Sequence, residues 1–213
     1  MPLRARFLAA ATDPALARPL RVIGRAGAGF DHVELPAAAR HGVTVTHTPG
    51  SNAGAVAEFA LAQLLALTRD LPAHNATAHR GVWRAPAAPA AQLSELTLGI
   101  VGLGRTGSAL AGRAAALGMD VQGLSRQPPG GTPARPVRSL TALLTTSDVV
   151  SLHLPLTAAT LGMIGRAELA SMRPGSILLN TARGGIVDEQ ALADALRDPR
   201  ASPGGRGGRH LRP

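Results

Sequence analysis

The sequence predicts an α/β protein whose core is a doubly wound parallel sheet. Two observations carry that prediction. From residue 97 to residue 197, short apolar runs alternate with helix-patterned segments, the pattern of repeated strand–helix units whose strands lie parallel. Between the first of those strands and the helix after it stands Gly102-x-Gly104-x-x-Gly107, a spacing that suits a tight strand–turn–helix connection.

The elements follow in order. Residues 20–23 read as a short strand, and a glycine-rich turn over 24–29 follows it. Residues 35–41 read as a short helix closing at Gly42, and the β-branched run 43–46 as a second strand. Pro49-Gly50 breaks the chain there. Asn52 is a plausible N-cap for a helix to about residue 69, with Glu58 early enough to suit the helix dipole. Residues 72–95 read as a short helix and then a connecting loop. Residues 97–101 form the next strand, 108–117 a helix capped by Gly118, and 119–124 a strand. A loop over 128–136, a helix over 139–145, a strand over 149–153, a helix over 166–171 and a strand over 177–180 come next. The last helix runs over 188–196, with Asp188 at its start. The expected domains are therefore a small lobe over 1–48, a dinucleotide-type domain over 49–200 and a disordered tail over 201–213, where Gly, Arg and Pro leave almost nothing to bury.

Composition narrows the function. At 213 residues with 45% hydrophobic residues, a packed core is expected. Aromatics are only 2%, so that core must be aliphatic. The net charge of +9 raises the question of nucleic acid, but Arg200, Arg206, Arg209 and Arg212 crowd an acid-free tail and no aromatic residues interleave with the Arg excess. No nucleic-acid partner is expected. With no cysteine, disulfides, thiolate catalysis and Cys-ligated metal are excluded. His74 and His79 lack carboxylate company, and no metal is expected. The start lacks a convincing signal-peptide core, and the apolar segment 56–68 is too short and too polar to span a bilayer. A cytoplasmic protein with no membrane contact is expected.

The glycine turn gives the chemistry. Gly102 permits the tight turn, Gly104 lets a pyrophosphate approach the backbone, and Gly107 lets helix and strand pack closely. Backbone N–H groups at the helix N-terminus would bind the phosphate charge. The bland alternative is a glycine-rich turn with no ligand; the strand before and helix after favour a Rossmann-like nicotinamide-dinucleotide site. NAD-binding units place an acid about 20 residues on to bind the ribose 2′-hydroxyl. Here the strand ends Leu124-Ser125-Arg126 without one. Ser125 could donate to a 2′-phosphate and Arg126 could pair with it, so NAD(P) is expected, with NADP favoured over NAD.

Several further segments occur in a telling order. They are Arg25-Ala26-Gly27-Ala28-Gly29-Phe30-Asp31-His32-Val33, Thr48-Pro49-Gly50, Val56-Ala57-Glu58, residues 99–107, Leu152-His153-Leu154-Pro155-Leu156-Thr157 and 180–189 (NTARGGIVDE). Together they resemble the D-isomer-specific 2-hydroxyacid dehydrogenases, in particular the phosphoglycerate dehydrogenases and glyoxylate/hydroxypyruvate reductases, over about residues 20–198. The resemblance implies hydride transfer between a nicotinamide and a small 2-hydroxy/2-oxo acid, and a flavodoxin-like substrate lobe of which 1–48 is a remnant. It implies that Ala28 and Gly29 hold the substrate carboxylate through backbone N–H groups, and that Arg105 and Thr106 meet the pyrophosphate. It places His153 and Pro155 beside the adenosine and ribose, and Thr181 and Ala182 near the nicotinamide. Arg183 matches the catalytic arginine that binds the carboxylate and polarises the carbonyl, a task suited to a permanently charged fork of donors.

The resemblance also implies a catalytic Glu and His beyond the arginine, and neither has a counterpart before the Gly/Arg tail; His210 does not inherit the role. The chain reads as truncated at both ends, and the tail is compatible with a shifted reading frame. An inactive dinucleotide-binding fragment or a redox-sensing module is thus the alternative to a working oxidoreductase. Little turnover is expected of the chain as written. Family members pair as homodimers across a helix resembling 52–69, and a weakened dimer is expected here.

Overall fold

In a computed structural model, residues 3–83, 90–127 and 130–197 are described; the expected tail over 201–213 lies outside them. The chain divides into a smaller compact unit through Ala53 and a larger one from Gly54.

In the smaller unit, helix α1 (Ala5–Ala11) is followed by strand β1 (Val22–Arg25), helix α2 (Leu35–Arg40) and strand β2 (Thr44–His47). The two strands pair in parallel with Val22 opposite Thr44 and Arg25 opposite His47. A small core of Leu8, Ala37, Ala38 and Val43 holds them. Helix α1 was not expected from the sequence. Its N-cap, Arg4, makes no side-chain cap bond and its first turn holds no acid, so no local signal marks it. Tertiary packing does, because Leu8 is fully buried against α2.

The larger unit opens with α3 (Ala53–Thr68) and α4 (Leu71–His79). A parallel five-stranded sheet follows, built of β3 (Thr97–Val101), β4 (Asp120–Leu124), β5 (Arg135–Pro136), β6 (Val149–Leu152) and β7 (Ile177–Asn180), in the order β5-β4-β3-β6-β7. Helices α5 (Arg105–Ala116), α6 (Leu140–Thr146), α7 (Arg166–Ser171) and α8 (Glu189–Arg197) connect or follow them. The doubly wound α/β sheet expected from the alternation is what the chain forms. Side chains alternate between its faces as strand geometry requires. Leu98, Ile100, Val121, Val149 and Leu179 pack with α3 and α5 on one face. Val101, Val150, Leu152 and Leu178 pack with α6, α7 and α8 on the other. Burial of each large aliphatic side chain is worth about 2 kcal/mol, and aliphatics do this without aromatic help.

Local signals and packing agree through most of this unit. Ser139 caps α6 by accepting from the Ala142 N–H at 3.1 Å, and Asp188 caps α8 by accepting from the Ala191 N–H at 3.0 Å, each worth about 1 kcal/mol. Asp148 ties the N-terminal ends of three strands. Its carboxylate accepts from the Thr97 N–H at 2.9 Å and pairs with Arg173 at 2.9 Å, while its carbonyl accepts from Ile177. In this unit two boundaries differ from expectation by more than one residue. The segment ending the predicted 128–136 loop forms β5, a two-residue edge pairing in which Arg135 lies opposite Gln122; Pro136 is tolerated because an edge strand needs few donors. Helix α5 begins at Arg105, inside the glycine turn, rather than at Ser108. Among the described residues, no helix is long and apolar enough to cross a membrane.

Candidate functional site

Sheet register gathers most of the expected site residues along one edge. Val101 lies opposite Leu124 and Leu152, and Leu152 opposite Asn180. The segments that leave these four strand ends are 102–107, 125–126, 153–155 and 181–183. Strand order reverses between β3 and its neighbours, and the crevice outside the carboxyl ends at such a point is where open α/β sheets bind ligands.

The three glycines have three separate reasons. Gly102 has φ +99°, and a Cβ there would meet the His153 carbonyl oxygen at 2.5 Å. A Cβ on Gly107 would lie 2.0 Å from the Gly102 carbonyl oxygen, so the α5 backbone rests on the turn itself. A Cβ on Gly104 would meet nothing within 4 Å. Gly104 is therefore not required by protein packing, and the space beside it is open. Gly104 is the N-cap of α5 and supplies no side-chain cap. Among the described residues, none accepts from the N–H groups of Arg105 or Thr106. A helix N-terminus with free donors beside open space is an anion cradle. Leu103 is buried under the turn, and Gly123 leaves room for it, since a Cβ there would touch Leu103 Cδ1 at 2.6 Å.

At the end of β4, Ser125 is half-buried and Arg126 exposed. The sequence from 121 to 147 holds no Asp or Glu. At the end of β6, the His153 N–H donates to Val101 at 2.8 Å. Its ring is mostly removed from water, and this desolvation lowers its pKa from 6.5 to about 4. His153 is therefore neutral at pH 7. Its Nε2 lies 2.9 Å from the hydroxyl of buried Ser151. Pro155 is steadied by Thr160, whose hydroxyl donates to the Pro155 carbonyl at 2.7 Å.

At the end of β7, Asn180 shapes the turn that carries Thr181, Ala182 and Arg183. Its Oδ1 accepts from the Ala182 N–H at 3.1 Å and its Nδ2 donates to the Arg183 carbonyl at 2.8 Å. Arg183 Nη1 donates to the Ala182 carbonyl at 2.7 Å. Beyond it, Gly184–Ile186 form a single 3₁₀ turn anchored by buried Ile186. The Thr181 hydroxyl is buried with no hydrogen-bond partner among the described residues, a cost that a bound polar group would remove. Sequence reasoning did not single out Asn180 or Ser151. Both act through a residue two or three positions on, and Ser-x-His on a strand, which puts both side chains on one face, was the available signal.

Ala28 and Gly29 belong to the smaller unit. Their loop is pinned from β2 and its end. The Gly27 N–H donates to the Thr48 hydroxyl at 2.9 Å, the Thr48 N–H donates back to Gly27 at 3.1 Å, and His47 Nδ1 lies 3.0 Å from the Ala28 carbonyl. Phe30 packs edge-on against the His47 ring, with centroids 5.0 Å apart. No described residue accepts from the N–H groups of Ala28 or Gly29.

The cradle that a side chain at Gly104 would fill and the orphaned Thr181 hydroxyl fit a dinucleotide laid along this edge. Comparison with known proteins agrees. The model of the D-isomer specific 2-hydroxyacid dehydrogenase NAD binding domain matches residues 61–202. D-3-phosphoglycerate dehydrogenase of Mycobacterium bovis is 42% identical over 188 residues, covering 85% of this chain and 35% of that protein. The chain thus spans about a third of that relative's length. Among solved structures, D-lactate dehydrogenase from Aquifex aeolicus, complexed with NAD and lactic acid, is similar with TM-score 0.80 and 34% identity, over 91% of this chain and 57% of that one. An acyclic imino acid reductase in complex with NADPH and D-Arg gives TM-score 0.83 at 26% identity, over 96% of this chain and 64% of that one. Matched over more than half its length by that domain model, the chain belongs to the D-isomer specific 2-hydroxyacid dehydrogenases.

Proposed function

We propose that the larger unit binds NADP(H) in preference to NAD(H) and serves hydride transfer between the nicotinamide and a small 2-hydroxy/2-oxo acid. The observation that carries dinucleotide binding is the open cradle at Gly104, set between two glycines that packing does require; the preference for NADP(H) rests on Ser125 and Arg126, with no acid beside them in the sequence. When bound, the nicotinamide would supply or accept the hydride. The chain's own residues would do the rest. The N–H groups of Arg105 and Thr106 would hold the pyrophosphate, Ser125 and Arg126 the 2′-phosphate, and His153 and Pro155 would line the adenosine end. Thr181 and Ala182 would stand by the nicotinamide. Arg183 would bind the substrate carboxylate and polarise its carbonyl, keeping its charge throughout because a guanidinium does not give up its proton. In the smaller unit (the portion read as a partial substrate lobe), the N–H groups of Ala28 and Gly29 would hold a carboxylate. The same reading assigns a weak homodimer with α3, which exposes Phe59, as the contact; a tight dimer in sedimentation at low protein concentration would contradict it.

One observation favours a second reading, dinucleotide binding without turnover. The proton that must follow hydride to the carbonyl oxygen has no acid to supply it among the described residues of this edge, since a guanidinium is no general acid and the neutral His153 ring is not an imidazolium at pH 7. A steady-state assay with glyoxylate, hydroxypyruvate and 3-phosphohydroxypyruvate separates the two. Turnover that Arg183→Gln lowers by about 10²–10³-fold supports the enzyme; tight NADPH binding with no turnover on any of the three supports the second reading. Cofactor choice has its own test. Arg126→Ala should weaken NADPH binding about tenfold or more, the worth of a charge-assisted bond, and leave NADH unchanged. Equal losses for both cofactors would contradict the assignment of Arg126 to the 2′-phosphate.

A further inference from the structure

We propose that Ser151 is a positioning residue that fixes His153 in the tautomer carrying its proton on Nδ1, so that the ring offers an N–H donor to the dinucleotide. The proposal rests on the reading of this edge as a dinucleotide site.

The argument begins with strand geometry. Ser151 lies in β6 opposite Ile100 and Leu179, on the sheet face that α3 and α5 cover. His153 is two residues on, so its side chain leaves on the same face. The Ser151 residue is 0% exposed, and its hydroxyl has one hydrogen-bond partner among the described residues, His153 Nε2 at 2.9 Å. Two proton arrangements are open to that contact. If Nε2 carried the hydrogen and donated to the serine oxygen, the serine O–H would be left in a closed interior with no acceptor. If the serine donates to a bare Nε2, every polar atom of the pair is satisfied. Buried donors left unmade are costly and rare, which decides for the second arrangement. A neutral imidazole that accepts at Nε2 carries its one hydrogen on Nδ1. Burial keeps the ring neutral at pH 7.

Nδ1 is not among the buried unpartnered polar atoms, and no described residue bonds to it; it is not sealed off as the Nε2 side is. The backbone of His153 is the surface against which Gly102 turns, the distance from its carbonyl oxygen to a Cβ built on Gly102 being 2.5 Å. The donor thus belongs to the residue that abuts the glycine turn. The phosphate oxygens of a dinucleotide can only accept, whereas its ribose hydroxyls can also donate; the donor tautomer therefore matters for the phosphates. The opposite tautomer would present them with a lone pair.

The test is the ¹⁵N spectrum of the imidazoles in the full chain without dinucleotide, with His153 assigned among the seven histidines by its loss in His153→Asn. The wild type should show a protonated Nδ1 and a bare Nε2. Ser151→Ala should move the proton wholly or partly to Nε2 and weaken NADPH binding about tenfold, one hydrogen bond's worth. Ser151→Thr, which keeps the hydroxyl, should restore both. A wild-type ring protonated on Nε2 would overturn the proposal whatever the variants do. So would a Ser151→Ala protein with the wild-type tautomer and affinity. Because the tautomer is read without ligand, a wild type that carries Nδ1–H yet binds no NADPH would count against the dinucleotide site and leave the Ser151–His153 assignment standing.

Discussion

Gly107→Ala should destabilise the larger unit by about 3 kcal/mol, the upper range for forcing a group into a packed interior. The added Cβ would lie 2.0 Å from the Gly102 carbonyl oxygen, 3.1 Å from its carbon and 3.2 Å from Ile100 Cγ2. The nearest obstacle is backbone at the turn's own tip, so relief requires α5 to lift from the strand or the turn to open. Helix propensity pushes the other way, since Ala exceeds Gly by about 1 kcal/mol inside a helix; the clash is larger and sets the sign. Gly112 lies in the same helix with nothing within 4 Å of its Cβ position. Gly112→Ala should therefore leave stability unchanged or raise it by up to about 1 kcal/mol. Urea unfolding of the two variants beside the wild type checks both. A Gly107→Ala protein as stable as Gly112→Ala would mean that α5 does not rest on the turn as described.

The folded protein should lose roughly 3 kcal/mol of stability through His153 alone as pH falls from 6.5 to 4. Burial lowers the folded-state pKa from 6.5 to about 4. Between those values the unfolded chain takes up a proton at this position that the folded chain refuses. The contribution is therefore fully present above 6.5, declines as pH falls through the window, and is gone below about 4. His153→Asn should remove it, so the difference in unfolding free energy between pH 7 and pH 4.5 should be smaller in the variant by most of that amount. Carboxylates titrate in the lower part of the same range, which is why the comparison with the variant is the measurement. Identical pH slopes in the two proteins would show that the ring is not desolvated.

Much of the sheet was legible because most of its strands are short apolar runs bounded by turn residues. The strands at 97–101 and 177–180 and the helix at 166–171 have the limits the sequence suggested. What was hidden lacks local signals. Helix α1 has no cap and is held by Leu8 against α2. Strand β5 contains a proline and pairs through two residues, so propensity speaks against it. The start of α5 was set too late because Gly104-Arg105-Thr106-Gly107 reads as loop, although close packing against Gly102 makes its last three residues the first turn of the helix. At the site, the motif assigned each of the three glycines its own duty, and only distances show that backbone, the His153 and Gly102 carbonyls, enforces two of them. Asn180 escaped notice for a related reason: its work is to hold the Ala182 and Arg183 backbone, and a strand-end Asn has no chemistry of its own to advertise.

Those duties give the most direct test of the dinucleotide site. Gly104 has φ −71° and ψ −166°, extended backbone that a branched residue adopts without strain, and apart from its own chain neighbours no atom of the described residues lies within 4 Å of its Cβ position. Gly104→Val should therefore fold as the wild type does while filling the space assigned to the pyrophosphate. Titration of NADPH, followed calorimetrically on both proteins at matched stability, is the decisive measurement. The wild type should saturate at one site per chain, and Gly104→Val should bind at least a hundredfold more weakly, a loss of about 2.7 kcal/mol or more. Undiminished binding by a folded Gly104→Val protein would contradict the placement of the dinucleotide at this turn.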